Sequence, residues 1–221
     1  MLISVEKRFV FIANTKTAST SIEHILIPYC EVFRSGTPQR KHITLHETIQ
    51  SYRFLFGQPN HVPNRYFKFG VMREPLDWIG SWYRYRKGNQ VQSPLPASMT
   101  FADFWAAKDW NILLKNNEPN LQRRMFVGPK GGILADVIIP YHRLDEMLRE
   151  ILGLLRIPYD LPRENVSKIV TPPDIPEEML PELREFYAAD YALWNRLDEI
   201  NAKGVDKLRA LRAAAPAPKK A

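Results

Sequence analysis

The stretch Phe9-Val-Phe-Ile-Ala-Asn-Thr-Lys-Thr-Ala-Ser-Thr-Ser-Ile22 decides how the chain reads. Its first part, residues 9–13, is short, aromatic and β-branched, as buried strands are. From Ser21 the apolar positions Ile22, Ile25 and Leu26 return with helical spacing. Between them lies a strand-to-helix turn. There the first helical amides have no intrahelical acceptor and the helix dipole adds partial positive charge, so the turn suits a phosphate-like anion. Thr17, Ala18, Ser19, Thr20 and Ser21 are small enough to let an anion reach the backbone, and Lys16 stands where its ammonium can close over it. The pattern is not GxxxxGK[ST], because the lysine precedes the small residues and no glycine occurs between Val10 and Ile27. Read alone, the stretch fits equally a solvated turn lysine followed by a hydroxyl-rich helix cap.

A second unit repeats the order. Arg65-Tyr-Phe-Lys-Phe-Gly-Val-Met72 reads as a strand and runs into Arg73-Glu74-Pro75, where proline suits the first turn of a helix. That helix carries Leu76, Ile79, Trp82 and Tyr83 on one side, with Arg73 before its start and Ser81 about two turns in. A guanidinium forks onto phosphate oxygens and a serine hydroxyl adds a donor. Strand–turn–helix units of this kind predict an α/β fold with a parallel sheet whose functional loops gather at the carboxyl ends of its strands. Two cationic turns suit a ligand with two separate phosphate groups.

The rest of the chain fills in this plan. Thr44 with Glu47 forms a capping-box pattern, so a helix is expected toward Phe56, with His42 in the loop before it and His46 in its first turn. Further helices are expected over residues 101–107, 118–127, 143–155 and 176–197, and a strand over 133–139. Pro158, Pro162, Pro172, Pro173 and Pro176 mark an extended wrap. Residues 1–200 read as one domain, and 201–221 as a basic Ala/Pro/Lys-rich tail, at best a frayed helix and then disorder.

With 221 residues, 45% of them hydrophobic, the chain can bury a single sizeable core. The net charge of +7 points to anionic partners without choosing among them. Cys30 is the only cysteine, which excludes an intrachain disulfide and reads as a small buried hydrophobe. Glu6, Lys7 and Arg8 interrupt any apolar run near the start, so a soluble, cytoplasmic protein is expected.

On these residues the chain resembles the PAPS-dependent sulfotransferases, specifically the branch that sulfates carbohydrates. Phe9-Val-Phe-Ile-Ala-Asn-Thr-Lys-Thr-Ala-Ser-Thr-Ser is similar to that family's 5′-phosphosulfate loop, and Val71-Met-Arg-Glu-Pro-Leu-Asp-Trp-Ile-Gly-Ser-Trp-Tyr83 to its 3′-phosphate motif. Likeness continues through Gln122-Arg-Arg-Met-Phe-Val-Gly128, Asp136-Val-Ile-Ile-Pro-Tyr-His-Arg-Leu144, Glu164-Asn-Val-Ser167 and Phe186-Tyr-Ala-Ala-Asp-Tyr-Ala-Leu-Trp194. The resemblance implies a P-loop-like, three-layer α/β fold with a central, mainly parallel sheet flanked by helices, 3′-phosphoadenosine 5′-phosphosulfate (PAPS) as donor, a hydroxyl or amine acceptor of carbohydrate type, and release of PAP. Three departures stand out: Thr15 takes the place of the usual proline before the loop lysine, His142 that of a frequent glutamate, and no sugar-binding signature is evident.

Under this reading Lys16 neutralises the oxygen bridging to the leaving nucleotide, Thr17 to Ser21 hold the 5′-phosphosulfate, Arg73 and Ser81 hold the 3′-phosphate, and Lys168 reaches the nucleotide from the wrap. No metal is expected, since the sulfuryl group carries less negative charge than a phosphoryl group. His42 is the first candidate for general base, with His46 and Glu47 as alternatives. Trp78, Trp82 and Tyr83 read as core, while Trp105 and Trp110 are left open between packing and acceptor contact. Two rival functions share some features. A P-loop kinase-like phosphotransferase shares the fold, and a nucleic-acid-binding module would use Arg84, Arg86, Lys87, Arg123 and Arg124, although no nucleic-acid motif accompanies them.

Overall fold

The computed structural model describes residues 1–88, 91, 93–160 and 175–214. Its centre is a five-stranded sheet in the order β3-β1-β2-β4-β5, built from β1 (Leu2–Ser4), β2 (Phe9–Ile12), β3 (Val32–Phe33), β4 (Phe67–Met72) and β5 (Val137–Pro140). The inner pairs β2/β4 and β4/β5 are parallel, with Phe11 opposite Phe69 and Gly70 opposite Ile138. β1 runs antiparallel to both β2 and β3, so the sheet is mixed rather than parallel throughout. β2, β4 and β5 are buried on both faces, as expected of strands sandwiched between helices.

Helices cover the sheet. In chain order they are α1 (Ser19–Leu26), α2 (Pro38–Lys41), α3 (Leu45–Ser51), α4 (Arg53–Phe56), α5 (Pro75–Gly88), α6 (Phe101–Ala106), α7 (Leu144–Leu155), α8 (Leu180–Phe186), α9 (Ala188–Trp194) and α10 (Leu197–Ala213). One core layer joins Phe9, Phe11, Phe67 and Phe69 to Ile22 and Leu26 of α1 and to the apolar face of α7. The opposite layer joins Val10, Ile12 and Ile138 to Leu45, Phe56, Tyr66 and Phe126. Cys30 is half-buried against the first layer, and burial pushes its thiol up to about 12. Among the described residues no helix is long and apolar enough to cross a membrane.

Several expectations need correction. The helix read over 118–127 is only a short 3-10 turn, Gln122–Met125, flanked by the isolated bridges Leu113 with Pro119 and Val127 with Ile133. The helix toward Phe56 starts at its capping box as expected but breaks at Tyr52, and that over 176–197 breaks at Tyr187. The supposed tail is the largest correction: α10 runs to Ala213 and lies on the edge strand. Val205 and Leu208 join the core, and the Asn201 side chain accepts from the Ile138 N–H (2.8 Å) and donates to the Ile138 carbonyl (2.9 Å), occupying the open edge of β5. Gly204 makes this approach possible, since a Cβ there would meet the Asp136 carbonyl oxygen at 1.9 Å. Lys168 and most of the proline-rich wrap lie outside the described residues.

Candidate functional site

β2 and β4 deliver two turns to the same end of the sheet. After Ile12 the chain passes through Asn14 and Thr15 to Lys16 and Ala18, both in the left-handed region (φ 60° and 56°), and α1 begins at Ser19. Non-glycine residues reach that region only at a cost, so the surroundings must hold them there. They do: the Asn14 carboxamide oxygen accepts from the Thr15 N–H (2.8 Å), the Thr17 hydroxyl donates to the Asn14 carbonyl (3.0 Å), and Trp78 Nε1 of α5 donates to the Thr15 carbonyl (3.0 Å). A proline at 15 would lose the first of these bonds; here the turn is fastened by side chains instead. Among the described residues the N–H groups of Lys16, Thr17, Ala18, Ser19 and Thr20 meet no acceptor, leaving a row of donors at the start of α1.

The side chains expected to bind differ in placement. Thr17 is buried, and its hydroxyl proton is spent inside the turn. Thr20 Oγ1 accepts from Lys41 Nζ (3.0 Å), which also pairs with Glu23 at 2.6 Å. Ser19 and Ser21 are buried at the helix start. The backbone amides are the main row of donors the turn leaves open, and the Thr20 hydroxyl, which only accepts from Lys41, keeps its proton to add to them.

Lys16 lies with its ammonium 3.5 Å from the centre of the Tyr85 ring and 5.8 Å from that of Trp82, without a carboxylate in ion-pair range among the described residues. Burial, reinforced by the Arg73 and Arg84 charges, lowers its pKa to about 7. Arg73 has only one acidic neighbour in ion-pair range among the described residues. Its guanidinium stacks 3.8 Å from the Tyr141 ring at the end of β5, approaches Asp77 at 3.4 Å, and leaves a buried Nε without a hydrogen bond. Arg84 pairs with the same Asp77 at 3.1 Å. Arg73 and Arg84 thus share one half-exposed carboxylate, and Lys16 has none among the described residues. Ser81, buried, lies on the α5 stripe defined by Asp77 and Arg84, one turn from each.

One side chain ties the two turns together. Gln122 accepts through Oε1 from Asn14 Nδ2 (3.1 Å) and from the Arg73 N–H (3.0 Å), while its Nε2 donates to the Arg73 carbonyl (2.9 Å). Asn14 Nδ2 also donates to the Val71 carbonyl at 3.1 Å. Gln122 is itself held by buried Asp190, whose carboxylate accepts from the Gln122 and Arg123 N–H groups at 3.0 and 2.7 Å. Burial pushes the Asp190 carboxyl up to about 6 despite those bonds.

His42 follows α2 and meets the first turn from the other side. Its Nδ1 is 2.6 Å from the Ala13 carbonyl, which can only accept, so Nδ1 carries the proton and Nε2 the lone pair of the neutral ring. Burial holds the His42 pKa below the usual histidine value, which favours that neutral ring. Glu47 is used by the capping box with Thr44, and His46 sits half-buried in the first turn of α3. His142 is exposed, its ring 5.8 Å from that of Trp194.

Sequence reasoning missed Asn14, Gln122, Tyr85 and Tyr141 as parts of this arrangement. Gln122 and Asn14 lay within motifs quoted for the resemblance, but nothing in their type announces a bond to a segment 108 residues away. Of the basic residues weighed for nucleic acid, Arg86 is buried against Asp109 and Asn111, and Lys87 donates to the Met99 carbonyl. No family model, curated protein or solved structure matches the chain.

Proposed function

We propose that the chain transfers a sulfuryl group from PAPS to a hydroxyl acceptor and releases PAP. The observation that carries the reading is Gln122, which hydrogen-bonds both cationic turns and so fixes one against the other. A ligand with two phosphate groups on one nucleotide needs that arrangement. The residues fit it: unpartnered amides from Lys16 to Thr20 suit the 5′ end, and the under-bonded Arg73 guanidinium, with Ser81 about two turns along α5, suits the 3′-phosphate.

The donor supplies an activated sulfuryl group. In the transfer the sulfur–oxygen bridge to the 5′-phosphate breaks as a bond to the acceptor oxygen forms, and the acceptor proton goes to His42 Nε2. Lys16 offsets the negative charge left on the phosphate oxygen, a role that needs its protonated form.

Thermal unfolding without magnesium tests the reading. PAP at about one hundred times its Kd adds about 2.7 kcal/mol to the native state, a rise of about 5–10 °C in Tm for a chain of this size. Arg73→Ala is expected to reduce that rise, and Lys16→Ala to abolish transfer of radiolabelled sulfur from PAPS. A wild-type Tm indifferent to PAP but raised by ATP with magnesium would replace this reading with the kinase one.

A further inference from the structure

Lys41, the last residue of α2, reaches the start of α1. Its ammonium donates to Thr20 Oγ1 (3.0 Å) and pairs with Glu23 Oε2 at 2.6 Å. Glu23 is buried, and its other oxygen faces the Met1 amino group at 3.4 Å, which also donates to the Lys41 carbonyl (3.0 Å). An ion pair this close presents little net charge to its surroundings, so what Lys41 delivers to Thr20 is chiefly a directed hydrogen bond. An ammonium can only donate, which makes Thr20 Oγ1 the acceptor and turns the hydroxyl proton elsewhere. Among the described residues that proton meets no acceptor. Thr20 is the second residue of α1, half-buried, and its own N–H belongs to the open row of amides. A threonine at a helix start otherwise has carbonyls of the preceding turn to bond. Thr17 spends its proton in that way on the Asn14 carbonyl (3.0 Å), and Thr20 does not.

We infer that Lys41 is a positioning residue for the first anion turn: by occupying a lone pair of Thr20 Oγ1 it aims the Thr20 proton at the bound anion, without touching the ligand itself. Glu23 holds the ammonium in place for that purpose and offsets its charge. This deepens the sulfuryl-transfer reading and rests on it only for the identity of the anion as the 5′ end of the donor.

The test is calorimetry with adenosine 5′-phosphosulfate, which offers only the 5′ group, and adenosine 3′-phosphate, which offers only the other. Glu23→Leu/Lys41→Met removes both charges of the pair, and Thr20→Val removes the hydroxyl with the pair in place. Each is expected to weaken adenosine 5′-phosphosulfate about tenfold, and the triple variant to lose no more than either, because both changes delete one interaction. Adenosine 3′-phosphate affinity is expected to stay within about threefold throughout. Lys41→Arg and Thr20→Ser, which keep the donor and the hydroxyl, should stay within about threefold of wild type for both nucleotides. Losses that add in the triple variant would overturn the inference, by showing that Lys41 acts on the ligand directly. Equal losses for both nucleotides would reduce Lys41 to a structural role and overturn it too. An unchanged affinity for adenosine 5′-phosphosulfate in Thr20→Val overturns it even where the pair-deleted protein does not fold. Failure of both nucleotides to bind the wild type would instead count against the donor reading. Titration of the same proteins with inorganic pyrophosphate then decides the role of Lys41 by the same comparison, and a wild type that does not bind pyrophosphate either would overturn that role as well.

Discussion

Replacing Gln122 with alanine separates fastening from binding. The substitution removes three side-chain hydrogen bonds, those with Asn14 Nδ2, the Arg73 N–H and the Arg73 carbonyl. Each is worth about 1 kcal/mol net, and a buried partner left without a bond costs about 1–3 kcal/mol. Gln122 is buried, at 1% exposure, but water can enter the vacated volume and take up part of the loss, so the expected destabilisation is about 2–4 kcal/mol. At about 2–4 °C per kcal/mol this lowers Tm by roughly 5–15 °C. The diagnostic quantity is the ratio of affinities. A ligand held at both ends gains from having its second group delivered at high local concentration, and that gain depends on the two turns keeping their separation. Calorimetry with PAP, adenosine 5′-phosphosulfate and adenosine 3′-phosphate is therefore expected to find the PAP affinity reduced about tenfold or more, with the singly anchored nucleotides changed less than threefold. Gln122→Glu keeps an acceptor for Asn14 and Arg73 but loses the donor to the Arg73 carbonyl, and should fall between. Equal losses for all three nucleotides would refute the idea that Gln122 sets the spacing of the turns.

Four other outcomes follow from the same geometry. Because burial lowers the Lys16 pKa to about 7, the free protein holds this ammonium charged below that pH and neutral above it; PAP affinity should decline as pH rises through 7 with net proton uptake on binding, and Lys16→Arg should flatten the decline. The same depression means that the unfolded chain binds more protons than the folded one between about pH 7 and the ordinary lysine range, so stability attributable to Lys16 rises with pH there, and Lys16→Met should raise the Tm of the ligand-free protein at pH 6 while abolishing transfer. His42→Gln keeps a donor for the Ala13 carbonyl but no base, and is expected to lower kcat by about 10²–10⁴-fold with PAP affinity unchanged; a kcat within threefold of wild type would return the base assignment to His46 or Glu47. Ending the chain at residue 200 removes Asn201, Val205 and Leu208 from β5 and the core, so it should lower Tm by more than 10 °C or prevent folding, as judged by circular dichroism.

The parts of the fold carried by local pattern were legible, and those carried by partners distant in sequence were not. Residues 9–13 and 65–72 announced themselves as strands because both are short and rich in aromatic and apolar residues, and the capping box at Thr44 marked a helix start. β1 and β3 are three and two residues long, too short for any period, and they supply the antiparallel half of the sheet. The break at Tyr187 interrupts a helical pattern that its side chains continue, and the residues after it include Asp190, which reaches the Gln122 and Arg123 amides. Charge and alanine content hide α10 in the sequence, yet Val205 and Leu208 enter the core, one asparagine bonds the edge strand and one glycine permits the crossing. In the site, cations and small residues were visible, while the left-handed backbone at Lys16 and Ala18 was not, because no glycine marks it.

Two half-hidden lysines on the same sheet make the case for a ligand at one end of it. Lys68, near the amino end of β4, is buried and its pKa is lowered to about 8, but Asp136 meets it at 2.8 Å through one carboxylate oxygen and takes Lys207 at 2.8 Å through the other, so each ammonium has an acidic partner within the protein. Lys16, past the carboxyl end of β2, is lowered further, to about 7, and has aromatic rings and two guanidinium charges as company. Removing a cation from water without a carboxylate costs stability, and the strained backbone at Lys16 and Ala18 adds to that cost. The fold tolerates both because Asn14, Trp78 and Gln122 fix the turn from three directions. A fold that can pair Lys68 so closely can pair a lysine, so the missing counter-charge at Lys16 is accounted for if an incoming anion supplies it. On that logic an acidic residue installed opposite Lys16, as in Tyr85→Glu, should raise the Lys16 pKa and the Tm of the free protein and weaken PAP binding; a variant that gained stability and still bound PAP as tightly as the wild type would break the argument.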